Sequence, residues 1–274
     1  SNLDDLDLIV LPSQKTLRIS DAERLQKWVS EGGKLIVFEK GAMLMGSEQF
    51  GIDLGAQFIS DSPFDFDFTV VKPELGLEVV STPFVNYDSG IRTKLTNGNS
   101  IAMIREPYFN RTYKSYSSHR ETPYKPKNSI FPAVIRTDNT IFFAHQIDQL
   151  YFNHGMRIHR QLFENAIMQL DYEPLLKVNN LPSAGKVSLL NQENKNRFVV
   201  HLLYSPPLLR ANNVEVIEDF VEISGVNLEL DLDRPIKKVY QIPDGKSLDF
   251  DITGGLLKVK VPPFTMHSAV VFEY

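Results

Sequence analysis

The chain has 274 residues, 42% of them hydrophobic and 23% charged, with no cysteine and a formal net charge of −5. Such a balance is globular and leaves room for two domains with separate cores, excluding disordered and fibrous classes. Lacking Cys, the chain has no disulfides, thiolate nucleophiles or cysteine-ligated zinc, and its acidic charge without a basic stripe argues against a nucleic-acid partner. No apolar run reaches the roughly 18–20 residues of a membrane span and no signal-peptide pattern opens the chain. No membrane partner is expected, and the compartment stays open between cytoplasm and periplasm or exterior. Ser1-Asn2, without an initiator Met, reads as the start of a fragment.

Leu6–Val10 is a short apolar strand and Pro12–Ile19 a loop. Ser20–Glu31 is a predicted helix, with Ser20 and Glu23 as a capping box and Ala22, Leu25, Trp28 and Val29 as its apolar stripe. Gly32 supplies the left-handed stop, and Leu35–Phe38, apolar without alternation, fits a parallel strand covered on both faces. A strand, helix and strand in this order form half of a doubly wound sheet, yet the first loop carries no residue that would give it chemistry.

From Gly41 to Tyr124 the periodicity loosens. Gly41 and Gly46 have the spacing of a phosphate loop, but Ser47-Glu48 stands where Lys-Ser/Thr is required. Phe64, Phe66 and Phe68 alternate with Asp65 and Asp67, predicting a half-buried strand with an acidic outer face that includes Asp61, in preference to a calcium site. Arg111, Tyr113, Tyr116, His119, Arg120 and Tyr124 then crowd one polar loop. Aromatic faces and hydrogen-bond donors together suit sugar hydroxyls, and equally a contact with a neighbouring subunit. Within the loop, Asn110-Arg111-Thr112 is a bare glycosylation sequon.

Ile130–Ile135 and Ile141–Ala144 flank a turn and predict a hairpin, followed by a helix from His154 to Leu170. His145, His154 and His159 fall close in sequence, but the last two, five apart on one helix, would point about 140° away from each other, so no metal site and no cofactor is expected. Ser89-Gly90 and Ser183-Ala184-Gly185 lack the first glycine of a nucleophile elbow. Beyond Asp171–Pro174 the pattern changes to short strands at Lys186–Leu190, Arg197–Leu203, Val226–Leu230, Lys238–Ile242, Leu256–Val261 and Ser268–Phe272, which predicts an antiparallel β-sandwich.

Leu6 to Pro12, then Ser20 and Trp28-Val29 through Gly32-Gly33-Lys34-Leu35-Ile36-Val37, resemble the β-galactosidase trimerisation domain of family 42 glycoside hydrolases. Ser118-His119-Arg120, Phe142 to His145, Tyr151, Gly155, His159-Arg160 and Leu162 resemble the tail of related hypothetical bacterial hydrolases. So do Val200 to Tyr204, Val261-Pro262 and His267. The resemblance implies a class I glutamine amidotransferase-like (flavodoxin-like) α/β domain at residues 1–172, lacking its first strand and helix, and a C-terminal β-sandwich at 173–274. It further implies a non-catalytic, oligomerising accessory part of a multidomain enzyme whose N-terminal catalytic barrel lies outside this sequence. A carbohydrate-binding module contacting sugar through Tyr113, Tyr116, His119, Arg120 and Tyr124 is the alternative, and an independent hydrolase a third.

Overall fold

The computed structural model describes residues 3–78 and 80–274. The chain forms two compact units, one running to Tyr172 and the other Glu173–Tyr274.

The first unit contains β1 (Leu8–Leu11), α1 (Ile19–Ser30), β2 (Lys34–Phe38), β3 (Ala56–Ser60), β4 (Asp67–Val71), β5 (Phe84–Asn86), β6 (Arg92–Leu95) and β7 (Asn99–Arg105). These are followed by β8 (Pro132–Arg136), β9 (Thr140–Phe143), α2 (Ile147–His154) and α3 (Arg157–Met168). A seven-stranded sheet runs in the order β1-β2-β9-β8-β7-β4-β5, while β3 and β6 pair separately. β1, β2 and β9 are parallel, with Leu8 opposite Lys34 and Leu35 opposite Thr140. Every later pairing in the sheet is antiparallel. The unit is therefore richer in antiparallel strands than a doubly wound sheet, and β3, β5, β6 and β7 lie where the sequence pattern loosens. Leu35, Ile36 and Val37 are fully buried, as a strand covered on both faces requires.

α1 begins one residue earlier than predicted. Arg18 is its N-cap with no side-chain cap bond, so the Ser20–Glu23 capping box does not form. The Arg18 carbonyl instead takes the N–H groups of Asp21 and Ala22, at 3.1 and 3.0 Å. At the other end Gly32 N–H bonds Val29 and Gly33 N–H bonds Trp28, the paired bonds of a Schellman stop, with Gly32 at φ 110°. The predicted helix from His154 is also corrected. Two helices occupy the region, because Gly155 at φ 62° ends α2 and the chain restarts at Met156. His154 and His159 thus sit on different helices, and the single-helix geometry assumed for them does not apply.

In the second unit the strands are β10 (Leu176–Asn179), β11 (Lys186–Gln192), β12 (Arg197–Tyr204), β13 (Leu208–Ala211), β14 (Val214–Val216) and β15 (Glu222–Ile223). They continue as β16 (Asn227–Leu230), β17 (Lys238–Ile242), β18 (Lys246–Ser247), β19 (Phe250–Thr253), β20 (Leu256–Lys260) and β21 (Phe264–Glu273). One antiparallel sheet has the order β10-β16-β20-β19 and another β11-β12-β21-β17-β18, with β15 on β21 and β13–β14 a separate hairpin. Phe198, Val200, Val270 and Phe272 from one sheet share a core with Leu228, Leu230, Leu257 and Val259 from the other. Alternate residues of each strand point inward, which is why the short alternating runs are legible in sequence.

Gly33 has a second role. A Cβ there would lie 2.2 Å from the ring of Trp28, the sole tryptophan of the chain. Gly33→Ala is expected to destabilise the first unit by about 1–3 kcal/mol through overpacking. Urea unfolding followed by Trp28 fluorescence measures this directly, and an unchanged midpoint contradicts it.

Candidate functional site

Asp67 begins β4 and is fully buried. This corrects the exposed acidic face: Asp65 is exposed, but Asp67 points inward with Phe66 and Phe68 buried beside it in the chain. A buried carboxylate survives only with its lone pairs occupied. His145 Nε2 lies 2.6 Å from Asp67 Oδ1 and donates to it, while Gly90 N–H donates to Oδ2 at 3.0 Å. Asn86 Nδ2 donates to Thr69 Oγ1 at 2.8 Å and approaches Asp67 Oδ1 at 3.3 Å. Asn86 Oδ1 in turn accepts from His159 Nε2 at 3.2 Å.

Arg92 carries the compensating charge. Its guanidinium is 2% exposed, with Nη1 at 3.7 Å from Asp67 Oδ2 and Nη2 at 3.2 Å from Glu106 Oε1. Nη2 also donates to Ser62 Oγ at 3.0 Å, and the plane sits over the Phe131 ring at 5.0 Å. Lys125 Nζ extends the chain of charges to Glu106 Oε2 at 2.9 Å. Burial pulls the Arg92 pKa down, opposed by Asp67 and then Glu106. Arg92 Nε and His159 Nδ1 have no hydrogen-bond partner. The His159 imidazole is pushed down to about 4, first by burial and then by the nearby charges of His145 and His154. It is therefore neutral at pH 7, which matches one ring nitrogen donating and the other bare.

Glu39 follows β2 in a left-handed conformation, φ 46°, an uncommon setting for a non-glycine residue. Burial raises its carboxyl above the ordinary range, partly offset by Lys40 and His145. Asp67 and His145 are both buried, so their pairing organises the interior.

Asp65-Phe66 and Tyr87-Asp88, the neighbours of Asp67 and Asn86 in sequence, line a cleft of about 520 Å³ with Arg111, Arg120, Glu121 and His154. The Tyr87 and His154 rings pack against each other at 51°, centroids 4.7 Å apart. The cleft has the size of a small-ligand site and presents acids, cations and an aromatic pair together.

The predicted contact residues separate into three settings. Arg120 lines the cleft with Arg111. Tyr113 and Tyr116 stand out from the loop, 96% and 75% exposed, and His119 is exposed too, none of these three lining the cleft. Tyr124 closes the base of the loop, bridged to Pro107, its ring against Phe68 at 5.1 Å and under the Arg105 guanidinium at 5.3 Å. Asn86, Arg92 and Glu106 carry no local sequence signal, and Asp67 is buried where the alternation predicts exposure. Its only available signal was a charge inside an aromatic alternation. His145 and His159 belong to the buried network and His154 to the cleft; among the described residues no cluster of three or more His, Cys, Asp and Glu side chains is arranged to hold a metal ion.

The chain matches no family model and no curated protein sequence. Among solved structures it is similar to α-L-fucosidase isoenzyme 2 from Paenibacillus thiaminolyticus, at 25% identity and a TM-score of 0.93, over 100% of this chain and 42% of that one. It is also similar in fold to Gan42B, a GH42 β-galactosidase from G. stearothermophilus, at 12% identity and a TM-score of 0.56, over 98% of this chain and 32% of that one. A β-galactosidase from Bacillus circulans sp. alkalophilus gives 12% and 0.55, over 100% of this chain and 34% of that one. The chain thus has the β-rich fold of one part of glycoside hydrolases and spans less than half the length of each.

Linkage gives the network a pH signature. Because the folded-state pKa of His159 lies near 4, below its ordinary value of 6.5, the unfolded chain binds more protons between those limits. Stability from this group is complete above about pH 6.5 and is lost as pH falls toward 4, by about 3 kcal/mol in all. His159→Gln is expected to flatten that part of the stability–pH curve relative to the unsubstituted chain. Urea midpoints at pH 7 and pH 4.5 test it, and parallel curves for the two proteins contradict it.

Proposed function

We propose that this chain is a non-catalytic accessory portion of a multidomain glycoside hydrolase, serving assembly. In this reading residues 1–172 are an amidotransferase-like α/β domain akin to the β-galactosidase trimerisation domain, and residues 173–274 a β-sandwich. The catalytic barrel belongs to the same polypeptide, and the assembly is a homo-oligomer. The observation that carries the reading is the whole-length match to α-L-fucosidase isoenzyme 2, of which this chain accounts for 42%.

Two features of the chain support it. The buried Asp67–His145 pair is closed off from solvent, and the sequence has no cysteine to serve as nucleophile. Leu208, Leu209, Val214, Ile217, Phe220 and Val221, on and just after the β13–β14 hairpin, are exposed. Exposed apolar side chains in this number would suit a contact surface.

The cleft favours a second reading, a carbohydrate-contacting module. Asp65, Asp88 and Glu121 can accept from sugar hydroxyls, Arg111 and Arg120 can donate to them, and Tyr87 and His154 offer ring faces. Here Tyr116 would supply a stacking face and His119 a further donor.

The pure chain is expected to hydrolyse no aryl α-L-fucoside or aryl β-galactoside above a blank. Turnover lost on substitution of Asp65, Asp88 or Glu121 would make it an enzyme in its own right. For the loop, alanine at Tyr116, His119 and Arg120 together is expected to abolish sugar binding or weaken self-association in sedimentation. The melting temperature should barely move, because all three side chains are exposed. A collapse of the melting temperature with association intact would reduce the loop to packing.

A further inference from the structure

His201 and His267 are 66 residues apart, and the β12–β21 register brings them together. His201 lies opposite Ala269 and Leu203 opposite His267, so the two histidines are diagonal neighbours across the pair of strands. They share the face carrying Val199, Ala269 and Val271, while Phe198, Val200, Val270 and Phe272 turn to the core between the sheets. The ring planes are 18° from parallel with centroids 5.3 Å apart, and His201 Nδ1 is 3.1 Å from His267 Nε2, so the rings meet edge to edge with these two nitrogens facing each other. His267 follows Met266, which holds a left-handed φ of 59°, so a strained residue precedes this side chain.

We propose that His201 and His267 form a two-imidazole site for a divalent transition-metal ion: Cu²⁺, Ni²⁺ or Zn²⁺. The separation is the first reason. Two nitrogens at about 2.0–2.1 Å from one ion lie about 2.9 Å apart at a right angle and about 3.4 Å apart at the tetrahedral angle. The observed 3.1 Å falls between these, and each ring has to turn by about 40° for its facing lone pair to leave the line between the nitrogens and meet the ion. Accessibility is the second, since His267 is exposed and His201 half-buried, leaving the outer positions of the ion to water. Imidazole nitrogen suits these ions, with Cu²⁺ bound most tightly.

The proton balance closes. In the neutral pair one N–H lies between the facing nitrogens. On binding, that ring moves its proton to its other nitrogen, and both facing lone pairs go to the ion. A bound ion ties β12 to β21 and stabilises the second unit by mass action.

The test uses the full chain without an affinity tag, titrated with Ni²⁺ or Cu²⁺ alone by calorimetry and by paramagnetic broadening of histidine resonances. One ion per chain is expected, with broadening centred on His201 and His267 and a rise in melting temperature. His201→Gln and His267→Gln are each expected to weaken binding at least tenfold and to abolish that rise. Binding unchanged in both variants, or weakened in only one, overturns the two-ligand site, as does broadening centred on His119 or His154. If a variant does not fold, protection of both histidines from diethyl pyrocarbonate by Zn²⁺ in the unsubstituted chain replaces it. Equal modification with and without the ion then refutes the proposal.

Discussion

The fully buried carboxylate of Asp67 is the constraint around which the far half of the first unit is organised. A charge in that position is tolerated only if several elements deliver donors to it at once. His145 comes from the end of β9, Asn86 from β5, Gly90 from the turn before β6, and Arg92 from β6 itself. Asn86 carries the chain of hydrogen bonds on to His159 in α3. Removing one partner from such a set characteristically costs about 3–5 kcal/mol, because the others are left charged or polar without water. The network therefore ties β4, β5, β6, α3 and the end of β9 to one buried charge.

The near half of the unit is governed by a different physics. β1, β2 and α1 form by apolar burial and by a helix stop that places Gly33 under the Trp28 ring. Shape decides there, and a single methyl group is enough to disturb it. The two halves meet on β9, parallel to β2 on one side and antiparallel to β8 on the other. His145 and Asp148 follow that strand. One reaches into the Asp67 network, and the other accepts the backbone N–H of Ser13, in the loop after β1, at 3.0 Å.

The cleft inherits its position from the network. Asp65-Phe66 and Tyr87-Asp88 are fixed because their neighbours Asp67 and Asn86 are, and α2 brings His154 to the same place. The loop that supplies Arg111 and Arg120 is anchored at its base by the buried Thr122, whose hydroxyl donates to the Phe109 carbonyl, and by Tyr124 on Phe68. Its tip, with Tyr113 and Tyr116, is free of such ties and displays its rings to solvent.

Sequence by itself determined the elements whose periodicity is set by burial: α1 with its glycine stop, the parallel β2, the β8–β9 hairpin and the main strands of the second unit. Those patterns are local, since an amphipathic stripe or an alternating strand records which side faces the core. The antiparallel strands β3 and β5–β7 left no such trace, and neither did α2, whose eight residues bury only Ile147 and Leu150 before Gly155 ends it. The site was less legible still. Arg120 stood out by composition, but Asp67 in its aromatic alternation reads like an exposed acid, and nothing local says that Arg92, 25 positions on, will neutralise it. Whether a charge points outward or inward depends on partners far along the chain, as the pairing of His201 with His267 also does. Only the tertiary structure decides that, because electrostatic compensation is a property of positions in space and leaves no period in sequence.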